Sequence, residues 1–195
     1  MNELGTWEVA LLCLLLEKPM HPYEMQQLLA QRRKDKVLGL KRGSLYHAIG
    51  RLERWGLIQT VGTGRDGQRP ERTTYEISEE GRTSLSTRLH FLLADVRWEA
   101  SSFMASMSFL VYLPAGDALT HLQQRIERLE AAIEAGEKEL RSVEGRVGRI
   151  NLLESEYALT LQRAELAWVT GLVDDLKKGR LTWNLDEILG KVAAR

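Results

Sequence analysis

Between residues 44 and 78 the apolar pattern of this chain changes period, and that change narrows the possible folds more than any other feature. Leu45, Ala48, Ile49 and Leu52, with Trp55, recur at helical spacing, and Gly56 closes the run as a C-cap. "LIQTV" and "RTTYEI" follow, β-branched and roughly alternating, separated by a polar stretch that carries Gly62, Gly64, Gly67 and Pro70. A short amphipathic helix thus runs directly into a two-stranded hairpin.

Two further helices precede this pair. "GTWEVALLCLLLE" is apolar nearly all round, which predicts a buried helix stopped by Pro19. Pro22 suits the first turn of the next, in which Tyr23, Met25, Leu28 and Leu29 recur at helical spacing before the basic run at 32–36. Gly62, Gly64 and Gly67 formally match G-x-G-x-x-G, but a dinucleotide fingerprint needs a helix opening at its end, and here Pro70 and a strand follow.

Charge is distributed unevenly along the chain. Lys and Arg together equal Asp and Glu, so the net charge is zero. Yet residues 32–72 hold eleven basic residues against four acids, a local +7 that the remainder balances with −7. Such asymmetry is expected where one region meets a polyanion, with a solvated basic face as the plainer alternative.

Three helices and a hairpin make the winged helix-turn-helix arrangement. Its third helix fits the major groove of DNA, about 12 Å wide, while the hairpin tip reaches adjacent phosphates or the minor groove. The candidate DNA contacts are therefore Lys41, Arg42, Ser44, Tyr46, His47 and Arg51 at and on that helix, and Arg65, Gln68, Arg69 and Arg72 on the wing. A winged helix also serves as a protein-binding module, so the fold alone leaves that alternative open.

The residues that carry this arrangement also carry a family likeness. "HPYEMQQLL", "GSLYHAIGRLERWGLI" and "RTTYEISEEGRTSL" resemble the three signature blocks of PadR-type transcriptional regulators over roughly the first 85 to 90 residues. His47 stands where many members have Pro, and the wing's basic dipeptide is spread over Arg69 and Arg72. The resemblance implies a dimeric repressor that releases its DNA on binding a small molecule, usually aromatic or lipophilic.

The rest of the chain reads as helical. Ser78, Glu79 and Glu80 open a helix expected to run through Leu85, Leu89, Leu92, Val96, Phe103, Met107 and Leu110 and to stop before Pro114. From Leu119 to Ile150 the apolar positions step three and four residues in turn, only Gly136 lacking an apolar side chain, which is coiled-coil periodicity. Gly145 and Gly148 mark a turn or kink, and Leu153, Tyr157, Leu161, Ala164 and Trp168 continue as another helix. Asn184 and Glu187 form a capping-box pattern for a short last helix.

The expected fold is mainly α with a small β-hairpin wing: a winged helix-turn-helix over 1–88 and an antiparallel or coiled-coil-like helical domain over 89–195. Two antiparallel helices joined near 145–151 would bury one stripe against each other in a monomer. A pair is too thin to bury Leu153, Tyr157, Leu161, Ala164 and Trp168 as well, so these are expected to dimerise the chain. A two-fold partner would set two recognition helices about 34 Å apart on a palindromic double-stranded DNA operator. An effector site, the alternative to plain core, is sought at Arg97, Trp98, Phe103, Met104 and Met107, where aromatic and sulfur surface lies near a cation.

Other function classes find little support. His21, His47, His90 and His121 lack metal-ligand spacing, and no nucleophile elbow, H-E-x-x-H or P-loop occurs, so neither enzyme activity, a metal nor a cofactor is expected. Cys13, the lone cysteine, sits among leucines as a small hydrophobe. No apolar run approaches the roughly 18 residues of a membrane span, and a soluble, cytoplasmic protein is expected.

Overall fold

The computed structural model describes residues 3–64, 72–96, 101–185, 187 and 190, and of residues 36, 37, 42, 63, 64 and 72 the backbone alone. It divides the chain into two compact units, Met1–Arg97 and Trp98–Arg195, a boundary nine residues beyond the 88/89 division expected from sequence.

In the first unit, α1 (Thr6–Glu17) lies at the centre of the core, with Leu11, Leu12, Leu14 and Leu15 buried. A helix so apolar must be covered on most sides. It stops at Lys18, which precedes Pro19 and takes the extended backbone that a following proline favours. Met20 then pairs with Tyr75 through two backbone hydrogen bonds of 2.9 and 3.0 Å, a bridge that adds a short third strand segment to the hairpin. α2 (Pro22–Gln31) begins with Pro22 in its first turn and with His21 Nδ1 accepting the Tyr23 N–H at 3.1 Å.

The basic run that follows holds one turn of helix, α3 (Lys34–Val37), which the sequence reading did not separate. The third helix of the expected winged helix-turn-helix is therefore α4 (Leu45–Arg54), entered through a 3₁₀ turn at Arg42–Ser44. Its stripe of Leu45, Ala48, Ile49 and Leu52 is buried as the spacing predicts. At its end Gly56 (φ 68°) donates to Glu53 O, and Leu57 N–H reaches Leu52 O, closing the helix in a Schellman motif.

The wing is β1 (Ile58–Gly64) paired antiparallel with β2 (Arg72–Ile77), with Ile58 opposite Ile77 and an irregularity between Thr60 and Gly62. Ile58, Tyr75 and Ile77 turn into the core. α5 (Glu79–Ala94) starts at Ser78, whose Oγ accepts the Gly81 N–H at 3.0 Å and donates to Gly56 O at 2.7 Å. Gly81 is pressed against the same turn: a Cβ there would sit 2.1 Å from Leu57 O.

The helix expected to continue from Ser78 to Leu110 is broken. α5 ends at Ala94, and a new helix, α6 (Ser102–Ser108), starts with Ser101 Oγ accepting the Met104 N–H at 3.1 Å. The apolar positions 85, 89, 92, 96, 103, 107 and 110 keep one helical phase across this break, so periodicity does not reveal it.

The second unit is dominated by α7 (Ala115–Val143) and α8 (Leu153–Lys177), which pack together along a helical hairpin. α7 ends at Val143 and the chain turns at Gly145 (φ 72°), so the last two positions of the expected stripe, Val147 and Ile150, lie beyond the helix and are exposed. Gly136 is the stripe's gap because Leu159 of α8 fills it: a Cβ on Gly136 would meet Leu159 Cδ2 at 2.8 Å. Leu122, Val169 and Val173 form the unit's core, flanked by Phe103, Met107, Ile126 and Leu172. The Asn184–Glu187 pairing is present, with the Glu187 N–H directed at Asn184 Oδ1 at 3.4 Å.

Candidate nucleic-acid interface

α4 buries one face and presents the other, and helical geometry decides which residues are offered. Opposite the Leu45–Ala48–Ile49–Leu52 stripe lie Tyr46, His47, Gly50 and Arg54. Tyr46 is 67% exposed. Arg54 points outward with its Nε donating to Gly50 O of its own helix at 3.1 Å. Like Arg51, Arg54 falls off the buried stripe by its spacing, and the 100° step per residue places it closer to the middle of the outward face than Arg51.

Arg51 lies on the flank of α4 and is turned inward. Its Nε donates to Glu8 Oε1 at 2.7 Å, and its Nη2 pairs with the same carboxylate. Glu8 sits in the first turn of α1 and is 2% exposed, the one buried charged side chain among the described residues. Nothing in the apolar periodicity of "TWEVALLCLLLE" signals that partner, which lies 43 residues from Arg51.

The remaining expected contacts are dispersed over this unit. Lys41 is exposed and Ser44 half-buried where the chain enters α4. The backbone of Arg42 lies in the 3₁₀ turn, and that of Arg72 opens β2 opposite Gly64. Arg65, Gln68 and Arg69, expected at the hairpin tip, lie outside the described residues. Upstream, Arg32 is held by Glu17 in a two-pronged ion pair, its Nη2 2.8 Å from Oε2, and the pairing pulls the Glu17 carboxyl below its ordinary range.

Two further titratable groups report how firmly this unit is packed. Burial, together with the Glu53 carboxylate that accepts its hydrogen bond, pushes the Tyr75 phenol up. Burial and the neighbouring Glu17 push the Cys13 thiol up, so it stays a protonated, unreactive small hydrophobe.

The second unit carries a groove of about 620 Å³ between α6, the 3₁₀ turn Leu110–Tyr112 and α7. Phe103, Met107 and Leu110 supply its apolar wall, and His121, Arg125 and Arg128 its polar side. The Arg125 guanidinium lies 3.6 Å from the Phe103 ring centroid and is fixed by Glu165, its Nε 2.6 Å from Oε1. Of the expected effector residues, Phe103 and Met107 meet here. Met104 is half-buried on α6 away from the lining, and Arg97 and Trp98 lie outside the described residues.

On α8 the inner face of Leu159, Val169 and Val173 is buried, whereas Leu153, Tyr157, Leu161, Ala164 and Trp168 are exposed. They form an apolar stripe on the side turned away from α7. Tyr157 is 66%, Leu161 52% and Trp168 55% exposed.

Residues 11–87, from α1 to the first half of α5, match the model of the PadR-like family of transcriptional regulators. This stretch is a PadR-like domain. It contains α4, the hairpin and the Ser78–Gly81 junction. Among solved structures the chain is similar to Bacillus subtilis PadR in complex with operator DNA, at 16% identity and TM-score 0.66, covering 88% of this chain and 99% of that one. The same protein in complex with p-coumaric acid aligns at 14% identity and TM-score 0.66, covering 89% and 99%. The Vibrio cholerae virulence activator AphA aligns at 13% identity and TM-score 0.65, covering 89% and 99%. At these identities the likeness is one of fold, and it extends beyond the PadR-like domain into the helical second unit. No curated protein matches the chain by sequence. The family is one of transcriptional regulators and not of enzymes, and no described helix is long and apolar enough to cross a membrane.

Proposed function

We propose that the protein is a sequence-specific DNA-binding repressor that acts as a homodimer on a palindromic operator and is released by a small aromatic or lipophilic effector. The observation that carries this reading is the outward face of α4 within a PadR-like domain. Tyr46, His47, Gly50 and Arg54 offer hydrogen-bonding groups, one cation and a position without a side chain on a helix of the diameter a major groove admits. Lys41, Arg42, Ser44 and the wing residues Arg65, Gln68, Arg69 and Arg72 supply phosphate contacts around it, and a structural neighbour in complex with operator DNA has the same fold.

The homodimer rests on the uncovered stripe of α8. Leu153, Tyr157, Leu161 and Trp168 are large apolar side chains at helical spacing, and a helix that leaves such a face in water buries it against a partner. A two-fold pairing places two α4 helices on successive major grooves, which is the reason for a palindrome. The effector reading rests on the Phe103–Met107 groove and on a neighbour of the same fold in complex with p-coumaric acid.

Titration of the purified protein with DNA from upstream of its own coding region, at several salt concentrations, tests the reading. Specific binding tighter than non-operator binding by at least about 10³, with a salt slope that falls by about one unit per lost phosphate contact in Arg65→Ala and Arg69→Ala variants, is expected. Uniform weak binding near 10⁻⁴ to 10⁻⁶ M to every sequence would make the winged helix a protein-interaction module instead.

A further inference from the structure

The ion pair between Glu8 and Arg51 ties a buried carboxylate of α1 to a cation on the recognition helix. Glu8 is the third residue of α1, and a Cβ on the N-cap Gly5 would lie 2.9 Å from its Oε2. The carboxylate is therefore folded back over the start of its own helix, with one oxygen facing that end and the other facing Arg51. Both the Nε and the Nη2 of Arg51 converge on the second oxygen. The side chain of Arg51 remains 38% exposed, so the outer part of the guanidinium stays in reach of solvent.

We propose that Glu8 withholds Arg51 from DNA and so acts as a specificity-determining residue without touching the nucleic acid. The inference rests on the reading that α4 faces DNA. A buried carboxylate stripped of its partner is strongly unfavourable, so a phosphate competes for Arg51 only at the expense of leaving Glu8 unpaired. An arginine already neutralised in this way releases no counterions from DNA and does not enter the salt slope. Arg51 lies on the flank of α4, where an unpaired cation would add a phosphate contact independent of sequence. Such contacts raise affinity for all DNA alike and dilute the share of binding energy that reads bases. Pairing Arg51 internally thus leaves Arg54, nearer the middle of the outward face, as the cation that α4 offers.

Glu8→Gln keeps the shape and one acceptor oxygen but removes the charge that holds Arg51. On a duplex of random sequence, the full-length Glu8→Gln protein should bind several-fold more tightly than wild type below about 0.1 M salt. Its salt slope should be steeper by about one unit per protomer. The ratio of operator to random-sequence affinity should fall accordingly. Arg51→Ala should lower the melting temperature yet leave the slope at the wild-type value, and the double variant Glu8→Gln/Arg51→Ala should return the slope of Glu8→Gln to that value. A loss of about one unit per protomer in Arg51→Ala, or an unchanged slope in a folded Glu8→Gln protein, overturns the proposal while leaving DNA binding intact. Should either single variant fail to fold, the other and the charge-neutral double variant still read the slope. A wild-type protein without salt-dependent DNA binding removes the DNA reading itself, and the proposal with it.

Discussion

Phe103 meets Trp168 edge to face, with ring centroids 6.2 Å apart and planes at 83°. The contact joins α6 to α8, and Arg125 of α7 completes it by lying over Phe103 while pairing with Glu165 of α8. Trp168 nevertheless keeps more than half of its surface in solvent, continuous with Leu161 and Tyr157. One residue thereby belongs both to the packing of the second unit and to the stripe assigned to dimerisation. Substituting Trp168 would confound the two.

Leu161 separates them, because its side chain is exposed in the protomer. Within a monomer, Leu161→Ala should change stability by less than about 0.5 kcal/mol. At a dimer interface it should cost more than about 1.4 kcal/mol, a tenfold weaker association, and make the melting temperature fall on dilution. Sedimentation equilibrium at micromolar concentration measures this directly. A wild-type protein that sediments as a monomer there refutes the assignment of this face.

Gly81 tests the junction between wing and helix. Its missing side chain lets α5 approach the backbone of Leu57 so closely that a Cβ would stand 2.1 Å from a carbonyl oxygen, which a flexible neighbour cannot relieve. Gly81→Ala should destabilise the first unit by about 3 kcal/mol and lower its melting temperature by more than about 10 °C. A melting temperature within about 2 °C of wild type would mean that α5 shifts at no cost. The same close approach gives a physical reason for a glycine three residues after Ser78.

Why some of this was legible and some was not follows from the range of each interaction. The stripe of α4, the Pro22 start and the Gly56 stop are written within a turn or two of the residues they affect, and sequence alone recovers them. α3 hides in a basic run whose apolar content is too small to show a period, and the α5–α6 break hides behind apolar spacing that stays in phase. Arg51 reads as a groove-facing cation until Glu8 is brought beside it by the packing of α1 on α4. The exposed stripe of α8 was legible because apolar residues recur on two faces of that helix, and α7 covers only one.

Acid sensitivity of the second unit should trace to its surface carboxylates. Hydrogen bonds from Arg163 and Arg141 hold the Glu137 carboxyl below its usual range, and Arg149 does the same for Glu156. A carboxyl whose folded value lies below its unfolded value stabilises the fold above the unfolded value, near pH 4, and loses that contribution as pH falls through the folded one. Arg163→Ala should therefore lower the melting temperature at pH 7 and low salt, by a margin that shrinks as pH falls below about 4 and in about 1 M salt, where screening acts within a few ångströms. Equal differences at pH 7 and pH 3 would show that Arg163 acts through packing and not through charge.

The sharpest test of how α4 is used lies in a residue with no side chain. Gly50 sits in the interior of α4 on its outward face, and a Cβ there would meet nothing within 4 Å. The folded protein thus has no packing reason to keep glycine, and glycine in a helix interior costs about 0.5–1 kcal/mol relative to alanine. If nothing approached this face, Gly50→Ala would simply stabilise the protein. If α4 enters a major groove, the added methyl stands between the helix and the bases or backbone that Tyr46, His47 and Arg54 flank, and close approach is lost. The variant should then melt a few degrees higher than wild type and bind operator at least about tenfold more weakly, a change of 1.4 kcal/mol in the opposite direction. Thermal melting and operator titration on one protein preparation give both numbers. A variant that is more stable and binds operator as tightly as wild type would show that the centre of this face stays clear of the DNA.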